Sequence, residues 1–465
     1  MADLPEFWTR TRFIVMVLLL LCLSSIWSNI LAFNFAVICM APQPNETSTD
    51  RFQFSDCEFL KNTLLTSIVA LAALLANFPL VHAVNKAGIR SIFAVLGIIS
   101  GAATLAIPAS IRVCDLPYSY LLACRFLQGL GFAAIFPVVG AFSAKWTYHK
   151  QTGLFVSVLV SYVQLSPAIT MPVSGALCTH AGWPSVFYVH GSVSLVLFVA
   201  YAALYRNSPS KHPFVGAREC TKISIGKTTV DKTVLRRIPY RAILTTPAIW
   251  AVWLGAVGNF AAVNLMFLYN PVYFSKVLGL TPSQTGAAAA VPPFVQFFVK
   301  LACGAASDRI TSVSEQTKYR TFNSVAFLGC ATCFGALAMI DAETKALNLF
   351  LLLGAAGILG AVTGGFYKAA PALSKQYSHF VTGNISVVLT ATMMGVPLLV
   401  NSLTTHDATH DEWRAVFGIV AAILVRGVAT VSISSVLVSN VIFCGFVRGE
   451  PCEWTKDDWI QRNSV

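Results

Sequence analysis

Charged residues are scarce in this sequence. Only 11% of its 465 residues are Asp, Glu, Lys or Arg, whereas soluble domains carry roughly 25%. Hydrophobic residues make up 56% of the chain, which is more apolar surface than a soluble fold can bury. The formal net charge of +12 does not indicate a nucleic-acid partner, because no basic surface interleaved with aromatic residues is present. These shortages exclude an ordinary soluble domain and predict an all-α membrane protein.

The motifs of several reaction chemistries are also missing. The sequence contains no P-loop, no cluster of metal-binding residues and no serine-hydrolase elbow. No soluble segment is long enough to hold a nucleotide-binding domain. We therefore expect neither an enzyme nor an ATP-driven pump, and we predict no cofactor, no bound metal and no catalytic residue.

Long apolar runs, by contrast, are abundant. A transmembrane helix needs about 20 largely apolar residues, and we predict twelve spans from runs of that kind. They occupy residues 13–41, 62–84, 91–111, 118–142, 153–177, 184–205, 246–272, 285–306, 321–340, 347–370, 380–403 and 414–443. Arg10 and Arg12 precede the first run as in a signal peptide, but the run is too long and lacks a small-residue cleavage site. We interpret it as a retained helix.

A basic polar segment separates the first six spans from the last six. Domain boundaries usually fall in such linkers. The predicted organisation is an N-terminal half over 1–205, a linker over 206–245, a C-terminal half over 246–446 and a tail over 447–465. The strings at 86–90 and 304–309, which follow the second helix of each half, are weakly similar in sequence. Internal repeats of this kind are typical of transporters whose substrate site opens alternately to each side.

The distribution of basic residues predicts that both termini are cytoplasmic. Lysines and arginines gather in the loops on one side, among them Lys145, Lys150, Lys318 and Arg320, whereas the opposite loops are acidic or sparse. Asn45 begins a glycosylation sequon, Asn45-Glu46-Thr47, in the first outer loop. Cys57 and Cys114 also fall on the outer side and could pair, but the sequence does not decide this.

The predicted spans contain basic residues but no Asp or Glu. Arg125, Lys300, Lys368 and Arg426 lie inside or close to them. Cations without carboxylate partners in a membrane favour an anionic ligand, such as a carboxylate or a phosphate. Arg125 lies about 10 Å inside span four, with Gln128 one turn onward on the same face. Lys300 and Lys368 could instead extend their ammonium groups to the interface, and Arg426 fits a structural role better.

Polar residues elsewhere add two further groups of candidates. Asn264 and Tyr269 of span seven could hydrogen-bond a ligand, although bonds between helices are the alternative. A second group is expected to form contacts between helices at the cytoplasmic side that stabilise an outward-facing state. These gating candidates are Lys86, Arg90, Asp308 and Arg309.

Several strings resemble the anion/cation symporters of solute carrier family 17, which includes sialin, the vesicular glutamate transporters and sodium/phosphate-cotransporter-like proteins. The family lies within the major facilitator superfamily. The matching strings are Arg-Phe-Leu-Gln-Gly-Leu at 125–130 in span four, the run at 182–191, which is the most specific, and the start of the linker at 208–213. The strings at 365–368 and 376–380 resemble divergent nematode members. The resemblance covers nearly the whole chain.

The resemblance implies a major-facilitator fold that transports an anion through a cavity lined by spans 1, 4, 7 and 10. Arg125 matches the arginine that contacts the substrate in this family. Ala32 stands where several relatives carry an arginine, Phe132 where they carry a glutamate linked to proton coupling, and Asn259 near their span-seven arginine. Residues 369–372, Ala-Ala-Pro-Ala, replace an Asn-His-Leu-Asp string. These departures weaken the case for glutamate or sialic acid as the substrate and for proton symport.

The leading hypothesis is a secondary active or facilitative transporter of a small organic or inorganic anion, working by alternating access. The predicted substrate-binding residues are Arg125, Gln128, Asn264, Tyr269 and Lys368. The driving force could be a coupling ion, H⁺ or Na⁺, or the membrane potential alone; His190 or His379 would have to carry a proton. The alternatives are a transporter-like receptor or scaffold and an anion conductance. We expect the plasma membrane or an endolysosomal or vesicular membrane, with the lipid bilayer and the anion as the partners.

Overall fold

The computed structural model describes residues 10–40, 58–113, 117–148, 151–224, 240–310, 312–365, 378–404 and 409–433, with a few isolated positions between 367 and 374. These ranges are almost entirely helical and contain no strand. They divide into two compact units. The first comprises Met1–Thr228 with Thr281–Ala290, and the second Thr229–Leu280 with Val291–Val465. The division after residue 228 falls inside the segment that we predicted to be the linker.

The first unit holds the helices of the first six predicted spans, followed by one short helix of the linker. They are α1 (Thr11–Met40), α2 (Glu58–Ala87), α3 (Ile89–Val113), α4 (Pro117–Ala133), α5 (Ile135–Trp146), α6 (Thr152–Val160), α7 (Tyr162–Ala181), α8 (Trp183–Leu204) and the short α9 (Ala217–Ser224). The backbone stays right-handed helical at Ala134, between α4 and α5, and at Ser161, between α6 and α7. Each of these two pairs therefore forms one span.

The second unit contains the helices of the last six predicted spans, preceded by one short helix at the end of the linker. They are α10 (Tyr240–Leu244), α11 (Pro247–Val272), α12 (Pro282–Arg309), α13 (Glu315–Leu337), α14 (Lys345–Leu359), α15 (Ser378–Leu403) and α16 (His410–Ile433). The first residues of α12 group with the first unit. A π-helical turn extends α11 over Tyr273–Val277, and a 3₁₀ turn extends α14 over Gly360–Gly364.

Nine helical segments in the described residues are long and apolar enough to cross a membrane. Three other helices, α2, α13 and α16, bring the number to the twelve spans that the sequence predicts. The apolar part of α2 is short, over Thr63–Asn77, while α13 and α16 begin with charged turns. A charged terminal turn lowers the mean hydropathy of a helix without placing a charge in the hydrocarbon layer, because that turn reaches the interface.

Gly88 forms the sharp turn between α2 and α3. Its φ of +78° lies in the left-handed region, which only glycine adopts without strain. A Cβ at this position would lie 2.4 Å from the side-chain nitrogen of Asn207. The Asn207 side chain in turn accepts a hydrogen bond from the backbone N–H of Arg90, over 3.0 Å. Because Gly88 has no side chain, Asn207 at the start of the linker can pack against this turn and bond to it.

The first part of the linker folds onto the first unit. Thr11 donates a hydrogen bond to the carbonyl of Phe214 over 2.6 Å, and the backbone N–H of Arg12 donates to Glu219 over 3.1 Å. The side chains of Arg12 and Glu219 are both buried, with 4.0 Å between guanidinium and carboxylate. Because a buried charge needs an opposite partner, this pair fixes α9 against the start of α1.

A disulfide joins Cys39, at the end of α1, to Cys178 in the last turn of α7. Their Cα atoms lie 6.2 Å apart, a normal distance for a disulfide. The sequence analysis did not predict this pair. Cys57 and Cys114, which it considered, lie outside the described residues.

Candidate functional site

Arg125 of α4 is buried among three helices of the first unit. Its exposed fraction is 0%. The guanidinium donates from Nε to the carbonyl of Leu65 over 3.0 Å, and from Nη1 to the carbonyl of Ile30 over 3.2 Å and to Gln128 Oε1 over 2.7 Å. Its central carbon lies 4.5 Å from the centre of the Phe33 ring, a cation–π contact. Helices α1, α2 and α4 together hold the arginine in one orientation.

The second terminal nitrogen of Arg125 is unsatisfied. Nη2 is buried and has no hydrogen-bond partner among the described residues. The four ion pairs found in the same part of the chain do not include this arginine. Buried donors without a partner are rare in proteins, and charged ones are costly. The site therefore presents a positive charge with both N–H groups of one nitrogen still available.

Gln128 fixes the position of Arg125. Its Nε2 donates to the hydroxyl of Thr104 over 2.8 Å and to the carbonyl of Asn29 over 3.2 Å. Thr104 donates onward to the carbonyl of Ser100 over 2.8 Å. An amide oxygen can only accept, so these bonds leave Oε1 facing the guanidinium. The structure brings the two predicted residues together, with Gln128 bonded to protein atoms on both sides.

Asn29, Ser100 and Ser194 extend this polar network, and the sequence analysis did not single them out. The Asn29 side chain donates to Ser194 over 3.1 Å and to Ser100 over 3.4 Å, and Ser194 also contacts Ser25 over 3.4 Å. All four residues are buried and link α1, α3 and α8. The signal in the sequence was slight, because each is one small polar residue in a long apolar run.

His190 of α8 lies in a second polar cluster of the first unit. Its Nδ1 is 2.9 Å from the hydroxyl of Ser28 and its Nε2 is 3.2 Å from the hydroxyl of Ser174. Thr170 donates to Ser28 over 2.7 Å. Both ring nitrogens are thus engaged with hydroxyl groups from α1 and α7. The side chain of His379, the other histidine considered for proton transfer, lies outside the described residues.

Two of the positions at which the sequence departs from the family pattern, Phe132 and Ala32, have apolar surroundings in the structure. Phe132 is buried and its ring lies 5.2 Å from that of Trp27, in a tilted arrangement. Ala32 is also fully buried. Packing of this kind leaves the position of Phe132 without a group that could take up a proton.

The predicted residues of the second unit are only partly brought together. Asn264 donates from Nδ2 to the hydroxyl of Thr392 over 3.1 Å, so it makes the bond between helices that we considered as the alternative. Its Oδ1 is buried without a partner among the described residues. Tyr269 is partly buried, with its ring 6.4 Å from that of Trp413. Lys368 lies outside the described residues.

Among the gating candidates, Arg90 makes contacts between elements. Its guanidinium donates from Nε to the carbonyl of Ala202 over 3.0 Å, and Nη2 donates to the same carbonyl. This joins the start of α3 to the end of α8. Arg309 is exposed at the end of α12, while the side chains of Lys86 and Asp308 lie outside the described residues.

Three other predicted features have simple outcomes. Arg426 is exposed on α16, and Asn45 lies outside the described residues. In the ranges that the structure describes, no group of three or more His, Cys, Asp and Glu residues could hold a metal ion.

The chain is similar to curated proteins that include vesicular glutamate transporters and sialin. The chain is 26% identical over 380 residues to vesicular glutamate transporter 3 of Danio rerio, covering 80% of this chain and 61% of the relative. It is 26% identical over 388 residues to the transporter slc-17.2 of Caenorhabditis elegans, covering 81% and 75%. It is 25% identical over 348 residues to human sialin, covering 74% and 67%. These relatives belong to solute carrier family 17, so the predicted resemblance is confirmed.

The fold is shared with solved transporters. A bacterial homologue of the human lysosomal transporter Spinster, in an inward-facing and occupied conformation, has a TM-score of 0.67 and 14% identity, covering 90% of this chain and 96% of that one. A D-xylose–proton symporter has a TM-score of 0.66 and 13% identity with the same coverage. At these identities the likeness shows the fold alone, and it confirms the predicted all-α architecture of twelve membrane helices.

The family follows from these matches. The sequence model of the Major Facilitator Superfamily matches residues 17–396, which is most of the chain. The homologues of the chain in this family are membrane transporters and not enzymes. The chain spans 61% of the length of the vesicular glutamate transporter that it matches. It is a multi-pass integral membrane protein that belongs to the Major Facilitator Superfamily.

Proposed function

We propose that the protein is a secondary transporter of a small organic or inorganic anion, and that Arg125 binds the negatively charged group. The observation that carries the proposal is the buried Nη2 of Arg125, which has no hydrogen-bond partner among the described residues. A guanidinium is the side chain best suited to carboxylate and phosphate oxygens. The relatives include vesicular glutamate transporters, whose name indicates an anionic substrate.

The electrostatics of the site support this assignment. A charged residue within a membrane span is expensive and is usually paired or functional. The carbonyls of Leu65 and Ile30 and the amide of Gln128 satisfy three of the donors of Arg125 but do not neutralise its charge. A bound carboxylate or phosphate would satisfy Nη2 and neutralise the charge in one step.

Transport is then driven by the membrane potential, without proton symport. Among the described residues of the spans, Asp and Glu occur only in the terminal turns of helices, and Phe132 packs on Trp27 where relatives carry a glutamate. Moving one charge through 100 mV is worth about 2.3 kcal/mol, which corresponds to roughly 50-fold accumulation. A proton carried by His190 is the alternative, because its imidazole is the titratable group of the second polar cluster.

Topology and location are part of the same proposal. The excess of Lys and Arg in one set of loops supports a cytoplasmic location for both termini, and Asn45 on the outer side would be the glycosylated residue. The name of the vesicular glutamate transporters favours a vesicular membrane, with an endolysosomal membrane and the plasma membrane as the alternatives. Arg90, with its bonds to Ala202, would contribute to the cytoplasmic contacts between helices that stabilise the outward-facing state.

Uptake by the purified protein in proteoliposomes tests the function. A panel of labelled anions is offered while an inside-positive potential and a pH gradient are imposed separately. We expect saturable uptake of one anion that follows the potential and ignores the pH gradient. We expect Arg125→Ala to abolish it, and Arg218→Ala, at an exposed position of α9, to leave it unchanged.

Other outcomes would overturn particular parts of the proposal. Wild-type rates in Arg125→Ala would remove the assignment of this residue. Binding of an anion without accumulation would favour a receptor or scaffold. A current that does not saturate with anion concentration would identify an anion conductance.

A further inference from the structure

Lys300 of α12 is a second cation within a predicted span, and the site around Arg125 does not involve it. It lies about nine residues before Arg309, where α12 ends, or about 13 Å along the helix axis. Its side chain is partly buried. The ion pairs among the described residues do not include Lys300. A lysine at this depth without a carboxylate partner requires an explanation.

The ammonium group of Lys300 lies against an aromatic ring from another span. Its Nζ is 5.4 Å from the centre of the Tyr367 ring, within the range of a cation–π contact. The Tyr367 phenol also lies near the side chain of Asn259, which is buried on α11. Spans seven, eight and ten of the second unit thus bring an amide, an ammonium group and a phenol together.

A close approach of backbones next to this cluster brings span ten against α12. Gly360 begins the 3₁₀ turn that follows α14. A Cβ on Gly360 would lie 3.0 Å from the carbonyl oxygen of Gln296 and 3.1 Å from the Val299 side chain. Both residues are on α12, within one turn of Lys300. Because Gly360 has no side chain, the backbone of span ten lies close to α12. The Tyr367 ring, a few residues further along span ten, can therefore reach Lys300.

We propose that Lys300, Tyr367 and Asn259 form a second binding point for a negatively charged group, a carboxylate or a phosphate, of the transported anion. The proposal rests on the transport function above. The ring of Tyr367 covers one side of the ammonium group and carries no negative charge, so the N–H donors of Lys300 remain open to an anion. The phenol and the amide are neutral groups that can donate hydrogen bonds to the same anion.

The alternative is that Lys300 only extends its ammonium group towards the interface. Three variants distinguish the two. Lys300→Gln removes the charge, Lys300→Arg keeps it, and Lys345→Gln, at an exposed position in the first turn of α14, is the matched control. Size-exclusion profiles and thermal denaturation verify that each variant is folded.

If the wild type accumulates an anion, the KM for that anion distinguishes a binding role of Lys300 from extension of its ammonium group to the interface. We expect Lys300→Gln to raise the KM about tenfold or more, since a charge-assisted hydrogen bond is lost. Lys300→Arg should stay within about threefold of the wild type and Lys345→Gln should equal it. An unchanged KM in Lys300→Gln would overturn the proposal while leaving the transport function standing.

Where the wild type accumulates no anion, the transport proposal fails and a chemical assay tests the site separately. Lysines are reductively methylated in the presence of inorganic phosphate or of chloride at the same ionic strength, and the modified peptides are quantified by mass spectrometry. We expect phosphate to slow the modification of Lys300 several-fold and to leave Lys345 unaffected. Equal modification of Lys300 under both conditions would overturn the binding point.

Discussion

Gln128 accepts a hydrogen bond of 2.7 Å from Arg125, three residues earlier on α4, while its amide nitrogen donates to Thr104 and to the carbonyl of Asn29. The glutamine is therefore held from two sides with its oxygen facing the guanidinium. Residues three apart on a helix lie on one face, so the spacing already places the pair together. The contacts with α1 and α3 are what fix its orientation.

A carboxylate in place of this amide should block the arginine. In Gln128→Glu the new side chain would form an ion pair with Arg125 within hydrogen-bond distance, and it would compete with the transported anion. We expect the KM for that anion to rise about tenfold or more. Uptake into proteoliposomes measures this, with Gln284→Glu, in the exposed first turn of α12, as the control. Wild-type KM in Gln128→Glu would show that Arg125 does not bind the anion.

Replacement of His190 by glutamine should leave transport intact. A glutamine amide can both donate and accept, as the imidazole does between the hydroxyls of Ser28 and Ser174. No charged side chain is among the described hydrogen-bond partners of His190. We expect His190→Gln to keep potential-driven uptake, with equal rates at pH 5.5 and 7.5.

His190→Leu completes this test. It removes the imidazole that bonds both serine hydroxyls, although Ser28 keeps its bond from Thr170. We therefore expect a loss of stability of about 1–3 kcal/mol, seen as a lower thermal denaturation midpoint. Potential-driven uptake should persist in the folded fraction. Uptake that follows a pH gradient in the wild type and loses this dependence in His190→Gln would instead establish proton coupling through the histidine.

The bond between Cys39 and Cys178 can be detected directly. Peptide mapping of the unreduced protein should give one peptide pair joined through these residues. The bond closes a loop with a sequence separation of 139, and removing such a crosslink costs about 2–4 kcal/mol. We expect Cys39→Ser to lower the thermal denaturation midpoint, and Cys220→Ser, at a free cysteine, to leave it unchanged. Alkylation of Cys39 and Cys178 without prior reduction would contradict the bond.

Docking of the linker should weaken in acid because of His212. This residue is 6% exposed, and its ring packs edge-on against Trp146 at 5.4 Å. Burial lowers the pKa of His212; the carbonyl of Leu204 raises it, and the positive charge of Arg206 lowers it further. In addition, Nδ1 accepts a hydrogen bond from the backbone N–H of Phe214, which protonation would abolish.

The sign of the effect follows from this depressed pKa. The docked state favours the neutral imidazole, so its stability is complete above the unfolded-state pKa of about 6.5 and declines as the pH falls below it. Hydrogen exchange in α9, corrected for intrinsic rates, should therefore be faster at pH 5.5 than at pH 7.5. His212→Phe should remove the difference, whereas His180→Asn, at an exposed position of α7, should retain it. Equal exchange at both pH values in the wild type would refute this role.

Features within a single span could be read from the sequence. Runs of about 20 apolar residues require a bilayer and predict helices, because every backbone polar group must be bonded within its own span there. This reasoning gave twelve membrane helices and a division inside the basic linker. It also placed Gln128 next to Arg125, since a helix has 3.6 residues per turn. The family resemblance rested on short strings of this local kind.

Features that join different parts of the chain depended on tertiary structure. Four contacts found in the structure join residues that are far apart in the sequence. They are Cys39 with Cys178, Asn29 with Ser194, Arg12 with Glu219 and Lys300 with Tyr367. Helical periodicity states which residues share a face, but apolar faces in lipid differ little from one another, so hydropathy cannot specify which faces meet. Shape complementarity and a few buried polar bonds decide that choice, and these form only once the helices are packed.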